Sequence, residues 1–243
     1  MPAGDRRIRV LAELSGGAGS DLSTKRLCEG CADVMGMSGA GIMLLSAGLP
    51  RGSVCTSNEV SALIGELQYT LGEGPSVDAY VQGWPVLEPD LADPSRHRWL
   101  GFSAPAVEAG VRAIFGFPLH VGSVRLGALD VYRARPGRLT DDQHADALVI
   151  AEVAARALLV MQAQAPPGAL AVELEAGADF RYVVHQASGM VAAQLNVGVG
   201  DALVALRAHA FSTNRPLVEV AGDVLSRLLR FDDGNPEQIR PLG

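Results

Sequence analysis

The sequence predicts an α+β domain followed by a separate three-helix module, and three observations carry that prediction. Two strand-length apolar runs, 111–119 and 124–132, stand as close together as a hairpin requires. The stretch 141–164 keeps helical periodicity over a length no strand reaches, and it opens on a capping box, Thr140 with Gln143 three residues on. Pro166-Pro167-Gly168 then stops that helix, and 179–231 reads as helices alone. The expected organisation is therefore an α+β domain over 5–164, with an antiparallel sheet flanked by helices, a linker over 165–178, and a three-helix domain over 179–231.

Composition limits the function. At 243 residues the chain is long enough for two ordinary domains, and 48% hydrophobic residues support a sizeable core and exclude whole-chain disorder. A formal charge of −7 argues against a generic nucleic-acid coat. The segment 179–231 differs: five Arg stand against four acids, a net of +1, so the acidity lies elsewhere. No run reaches the ~18 apolar residues of a membrane span. The opening MPAGDRRIRVLAEL lacks the apolar segment and cleavage site of a signal peptide. The expected location is cytoplasmic, with no membrane partner, and an odd count of three cysteines fits a reducing compartment.

Through the first domain the elements follow in order. Residues 5–14 read as a short helix with Ile8, Leu11 and Leu14 as contacts, and Asp21 or Ser23 caps a second helix to about Met35. The run 40–45 is a strand, with 53–57 as its antiparallel partner. A helix over 59–69 leads to the turn Leu71-Gly72-Glu73-Gly74-Pro75-Ser76 and a further helix to about Gln82. Trp84-Pro85-Val86-Leu87 is a short strand, placed at a sheet edge by a proline that has no N–H for the ladder. A helix around 98–109 precedes the two long strands. The closing helix is apolar on more than one side, through Leu148, Val149, Val153, Leu158, Leu159 and Val160. One stripe covers the sheet. The surplus points to a partner helix, with Leu158 and Leu159 as the seam.

No pattern points to catalysis. Cys28-Glu29-Gly30-Cys31 falls in mid-helix, away from the helix N-terminus that would activate a redox thiol, and Cys55 alone cannot complete a second zinc pair. Core cysteines are the expectation. The histidines His97, His120, His144, His185 and His209 form neither HExxH nor an i, i+4 pair, and a lone His97 or His120 is weak evidence for haem. The Leu71–Pro75 turn is no phosphate loop, because Lys25 is the only lysine in the chain. Ser76 and Ser103 lack a nucleophile elbow. Asp141 and Asp142 suit a helix first turn on dipole grounds alone. The expectation is no cofactor, no metal and no enzyme activity.

In 179–231 the first helix carries Phe180, Val184, Ala187, Val191 and Leu195 at one-face spacing, with Asp179 as its N-cap. After a break at Asn196-Val197-Gly198, the second helix carries Leu203, Leu206 and Ala210 and stops near Thr213-Asn214. Pro216 fits position N1 of the third, which carries Leu217, Val220, Ala221, Val224, Leu225 and Leu228. Gly198 is an adequate N-cap, but Gly200 follows inside the first turn, so the second helix is expected to begin late or fray. His209 and Phe211 stand nearby and could stack on bases; against that, Phe211 is assigned to the core and His209 to the surface. Mid-helix Gly189 costs about 1 kcal/mol relative to Ala, which implies close approach of another backbone, the second helix or a nucleic acid. Arg207 and Arg215 flank the second turn and are expected clear of the apolar stripes, hence to serve binding rather than folding.

The order His185-Gln186-Ala187-x-Gly189-Met190-Val191, Asp201-Ala202-Leu203, Leu206-Arg207-x-x-Ala210 and Arg215-Pro216-Leu217-x-x-Val220-Ala221 resembles the ANTAR domain, an RNA-binding antitermination module. Leu71-Gly72-Glu73-Gly74-Pro75, then Pro85-Val86 before Asp90-Leu91, then strands around Phe117-Pro118-Leu119 and Leu126-Gly127-Ala128-Leu129, resembles the GAF domain of actinobacterial GAF–ANTAR regulators. The resemblance implies an RNA-binding transcription antitermination regulator that grips paired hairpins in leader transcripts and so acts as a homodimer. It carries Gln186, Gly189, Arg207 and Arg215 over as the RNA-binding residues. Gly198 departs from the Ser or Thr common in the family. The patterns for bilin and cyclic-nucleotide binding are absent, and the GAF pocket either takes another small ligand or serves only as packing. The rival reading is a ligand-binding or protein-interaction adaptor whose helical tail dimerises without touching RNA, which the charge of +1 favours. A DNA-binding helix-turn-helix is weaker, because the cations of the third helix, Arg227 and Arg230, lie at its C-terminal end.

Overall fold

The computed structural model describes residues 3–14, 24–46, 49–95, 98–163, 179–213 and 215–231. The expected caps Asp21 and Ser23, the linker 165–178, His97 and Asn214 lie outside the described residues, as do the side chains of Leu14, Asp179 and Phe180. The chain divides into two compact units, residues 1–177 and 178–243.

In the first unit β1 (Gly39–Ser46), β2 (Leu49–Thr56), β3 (Val86–Glu88), β4 (Ala113–Val121) and β5 (Val124–Arg133) form one antiparallel sheet in the order β2-β1-β5-β4-β3. The three central strands are buried almost residue after residue, so both sheet faces must be covered. The helices α2 (Thr24–Met35) and α6 (Asp141–Ala163) cover one face, with α1 (Ala3–Leu14) packed on both. Phe115, Phe117, Leu119, Leu129 and Val131 point into this layer. The helices α3 (Glu59–Leu71) and α4 (Pro75–Gln82) cover the other face. There Gly116 of β4 lies under α4, where a Cβ would collide with the Pro75 carbonyl. The short edge strand β3 follows Pro85, as a proline without a ladder donor requires. The capping box closes as expected: Thr140 N–H donates to Gln143 Oε1 and Gln143 N–H to Thr140 Oγ1, each at 3.1 Å.

Four expectations are corrected. Ile8, at 68% exposure, and Leu11 face outward on α1. The inward face carries Arg6 and Val10, one helical turn apart, because Arg6 binds Asp142 at 2.6 Å and Asp146 beneath it. Arg9 takes the other Asp146 oxygen at 2.7 Å. Such a buried pair fixes the rotation of α1 on α6 more than it adds stability. Next, α5 spans only Ser103–Glu108. The backbone N–H groups of Gly101 and Phe102 donate instead to Glu73 Oε1, at 2.7 and 2.9 Å, which diverts the preceding turn from helix. This is the task of the acid in the Leu71–Pro75 turn. Third, Leu158 is 3% exposed and belongs to the core, so it cannot be a seam. Finally, Cys28 is joined to Cys55 across α2 and β2, with a Cα–Cα distance of 6.0 Å, and Cys31 alone is a free core thiol. Spacing of i, i+3 puts both cysteines of the pair on the inner face of α2, and Cys28 is the one that meets the strand.

One polar group sits where α3 and α4 meet the sheet. Asp130 on β5 is buried, and its Oδ2 accepts from Ser76 Oγ at 2.9 Å and, more distantly, Gln68 Nε2 at 3.4 Å. Gln68 Oε1 in turn accepts the Ser76 N–H at 2.7 Å, which ties α3 to the start of α4. Asp130 Oδ1 has no partner. Burial outweighs the two donors and pushes the carboxyl up from 3.8 to about 7. The folded state therefore holds a proton that the unfolded chain releases, and stability falls as pH rises through this window. Asp130→Asn should remove that slope, so that the variant gains on the native protein between pH 4 and pH 7. Thermal melts across the range check this, and parallel pH profiles for the two proteins would refute it.

Candidate nucleic-acid interface

The second unit is built from α7 (Asp179–Leu195), α8 (Val199–Ser212) and α9 (Leu217–Leu225). Val184, Ala187 and Val191 from α7, Leu203, Leu206 and Ala210 from α8, and Leu217, Val220, Ala221 and Val224 from α9 are buried together. Asn196 closes α7 with φ of 53°, the left-handed conformation Asn tolerates. Gly198 is the N-cap of α8, with extended backbone and no side-chain bond, and the helix starts at the next residue rather than late. Pro216 stands one position earlier than expected, as the N-cap of α9. Helix α9 ends at Leu225, and Arg227 takes φ of 59°, so Leu228 points outward while Leu229 and Phe231 turn in.

The expected RNA-binding residues separate into two kinds of position. Gln186 and Gly189, three residues apart, are both exposed on the outer face of α7, with Ala193 continuing the same line. A Cβ at Gly189 would meet nothing within 4 Å. The glycine is therefore not required by α8, and of the two backbones proposed for it the intramolecular one is absent. Arg207 is only 7% exposed. It lies at i+4 from Leu203 and i−3 from Ala210, on the buried stripe of α8, which corrects the expectation that it stands clear. Arg215 is half-buried and pairs with Asp223 at 2.8 Å and with Glu219 at 3.8 Å. Its backbone N–H also donates to the Ala210 carbonyl. Arg215 thus carries contacts that hold the α8–α9 turn, while Arg207 is part of the buried face of α8.

Aromatic positions are exchanged relative to the sequence reading. Phe211 is 64% exposed, one residue past the buried Ala210 and so about 100° around the helix. Val204 and Ala208 lie on the same outer line, at seven and three residues before it. The spacing of Leu203, Leu206 and Ala210 already excludes Phe211 from the core stripe, a signal that residue type obscured. His209 turns inward, with its ring edge-on to Phe231 at 5.7 Å. Burial, and then the Arg215 charge, lower its pKa, against an opposing pull from Asp223. Phe231 N–H donates to Gln194 Oε1 at 2.9 Å, which fastens the end of the unit to α7. The outer surface is thus an exposed polar and glycine line on α7, an apolar line ending in an aromatic ring on α8, and exposed Arg227 and Arg230 beyond α9. Flat groups and cations together are what unstacked bases and phosphates need.

Family models match both units. The family model of the GAF domain matches residues 24–159, and that of the ANTAR domain matches residues 173–225. No curated protein matches the chain. Among solved structures, the GAF domain from a phosphoenolpyruvate-protein phosphotransferase of Coxiella burnetii is 13% identical with a TM-score of 0.50, covering 67% of this chain and 95% of that one. The corresponding GAF domain from Acinetobacter is 15% identical with a TM-score of 0.48, covering 66% and 95%. At 13% identity the likeness to the Coxiella burnetii domain speaks to fold alone. The GAF match spans more than half of the sequence and the five-stranded sheet lies within it, so the chain belongs to the GAF domain family and carries an ANTAR domain after the GAF domain.

Proposed function

We propose that this chain is an RNA-binding transcription antitermination regulator. Its ANTAR unit binds paired hairpins in leader transcripts, and its GAF unit senses a signal or mediates dimerisation. The role is regulatory rather than catalytic. The observation that carries the reading is the ANTAR match over 173–225, falling on a unit whose outer helix faces hold exposed Gln186, Gly189 and Phe211. Gly189 weakens α7 without serving internal packing, and open space above it admits a sugar-phosphate backbone. Phe211 offers a ring face to a splayed base. Arg207 acts through the fold from the buried face of α8, and Arg215 through its ion pairs with Glu219 and Asp223 of α9. The adaptor reading keeps one specific support, the apolar character of Val204, Ala208 and Phe211, which a protein surface could cover equally well.

Dimerisation is assigned to the exposed apolar residues of α1 and α6, which include Ile8, Leu11, Leu148 and Val160. The double change Ile8→Glu, Val160→Glu should halve the mass seen by light scattering while leaving the circular dichroism spectrum unaltered. A native protein that is already monomeric at micromolar concentration would sink this assignment.

Binding to a paired-hairpin RNA separates the two classes of residue. Phe211→Ala should lose about 1–3 kcal/mol of affinity, the value of one base stack, with little change in Tm. Gly189→Leu should hold or raise Tm, because leucine is the better helix former and meets no neighbour, yet weaken RNA binding. Arg207→Ala should lower Tm, as a buried residue does. If native protein ignores paired-hairpin RNA even at low salt, where phosphate contacts count most, the adaptor reading stands instead.

A further inference from the structure

A cleft of about 300 Å³ opens at the edge of the GAF sheet, between β3 and the first turn of α6. It lies on the α6 side of the sheet, opposite the layer formed by α3 and α4. Its floor is apolar: Leu87 of β3 pairs with Phe115 of β4 across the ladder, and Leu139 closes the side toward α6. Its mouth is polar, with Arg138 just before α6, Asp141 at the first helical position and His144 one turn on. Neither the Arg138 guanidinium nor the Asp141 carboxylate has an ion-pair or side-chain hydrogen-bond partner among the described residues. Both side chains are exposed, and both stand at one opening. The His144 ring is held near Phe117, with centroids 5.8 Å apart, and forms a wall.

An apolar floor with a few convergent polar groups is the usual composition of a small-ligand site, and this volume lies at the small end of the range. A lone anion at Arg138 would face Asp141. A lone cation at Asp141 would face Arg138. A zwitterion answers both. We propose that the cleft binds a free α-amino acid with an apolar side chain, of leucine or phenylalanine size. Its carboxylate pairs with Arg138, its ammonium with Asp141, and its side chain lies on Leu87, Phe115 and Leu139. The ligand would brace the first turn of α6, the last helix of the GAF unit. This gives the sensory role a ligand class and to that extent rests on that reading.

The test uses the full chain without RNA, so that its outcome is independent of the ANTAR reading. L-phenylalanine, L-leucine, phenylacetate and phenethylamine are titrated by calorimetry and by thermal shift. The expected result is saturable binding of the two amino acids, with each singly charged analogue weaker by about tenfold or more. Arg138→Ala and Asp141→Asn should each weaken L-phenylalanine by a similar factor while the Tm of the free protein stays near native. Three results would overturn the proposal: no saturable binding of either amino acid up to about 10 mM, phenylacetate binding as tightly as L-phenylalanine, or binding that neither substitution alters.

Discussion

A sheet buried on both faces is the constraint on which the GAF unit depends. Every strand residue in its centre must find a partner, and every helix laid over it must come close enough to leave no void. On one side this is met by ordinary packing of Phe115, Phe117 and Leu129 against α6. On the other, α4 comes so close that Gly116 is the residue that fits beneath Pro75. The polar price of that approach is Asp130, held by Ser76 and Gln68 but with one oxygen unanswered. The same three residues join α3, α4 and β5, so the layer and the buried carboxyl are one feature.

The ANTAR unit solves the opposite problem. A bundle of three short helices has a small core, built here from one apolar stripe on each helix. Arg207 lies within that core stripe, and Arg215 spends its charge on Asp223 and Glu219. What remains outside is an exposed line on each of α7 and α8, with Arg227 and Arg230 exposed beyond α9. With a net charge of +1 over 179–231, the unit has little general attraction for a polyanion.

Much of this was legible in the sequence. Strand periodicity, Pro85 and the Thr140–Gln143 box identified the antiparallel sheet and its flanking helices, since each is a local rule that the fold obeys. The misreadings share a cause: residue type was allowed to outrank position. Phe211 can be read as core or as a stacking ring, and the spacing of Leu203, Leu206 and Ala210 decides for the surface. Arg207 was placed outside because it is charged, on the same helix and against the same spacing. Ile8 and Leu11 were turned inward because they are apolar, where distant Asp142 and Asp146 decide the face by drawing in Arg6. The Cys28–Cys55 bond is likewise non-local, set by where α2 lies over β2.

Crosslinking the full-length protein to RNA in cells, followed by sequencing of the bound fragments, bears most directly on whether this chain reads RNA. The account predicts that crosslinks concentrate on leader transcripts at neighbouring hairpins ahead of a terminator, and that the enrichment falls for Phe211→Ala. Recovery no higher than that of an unrelated control protein would contradict it and leave the ANTAR unit as a protein-binding surface.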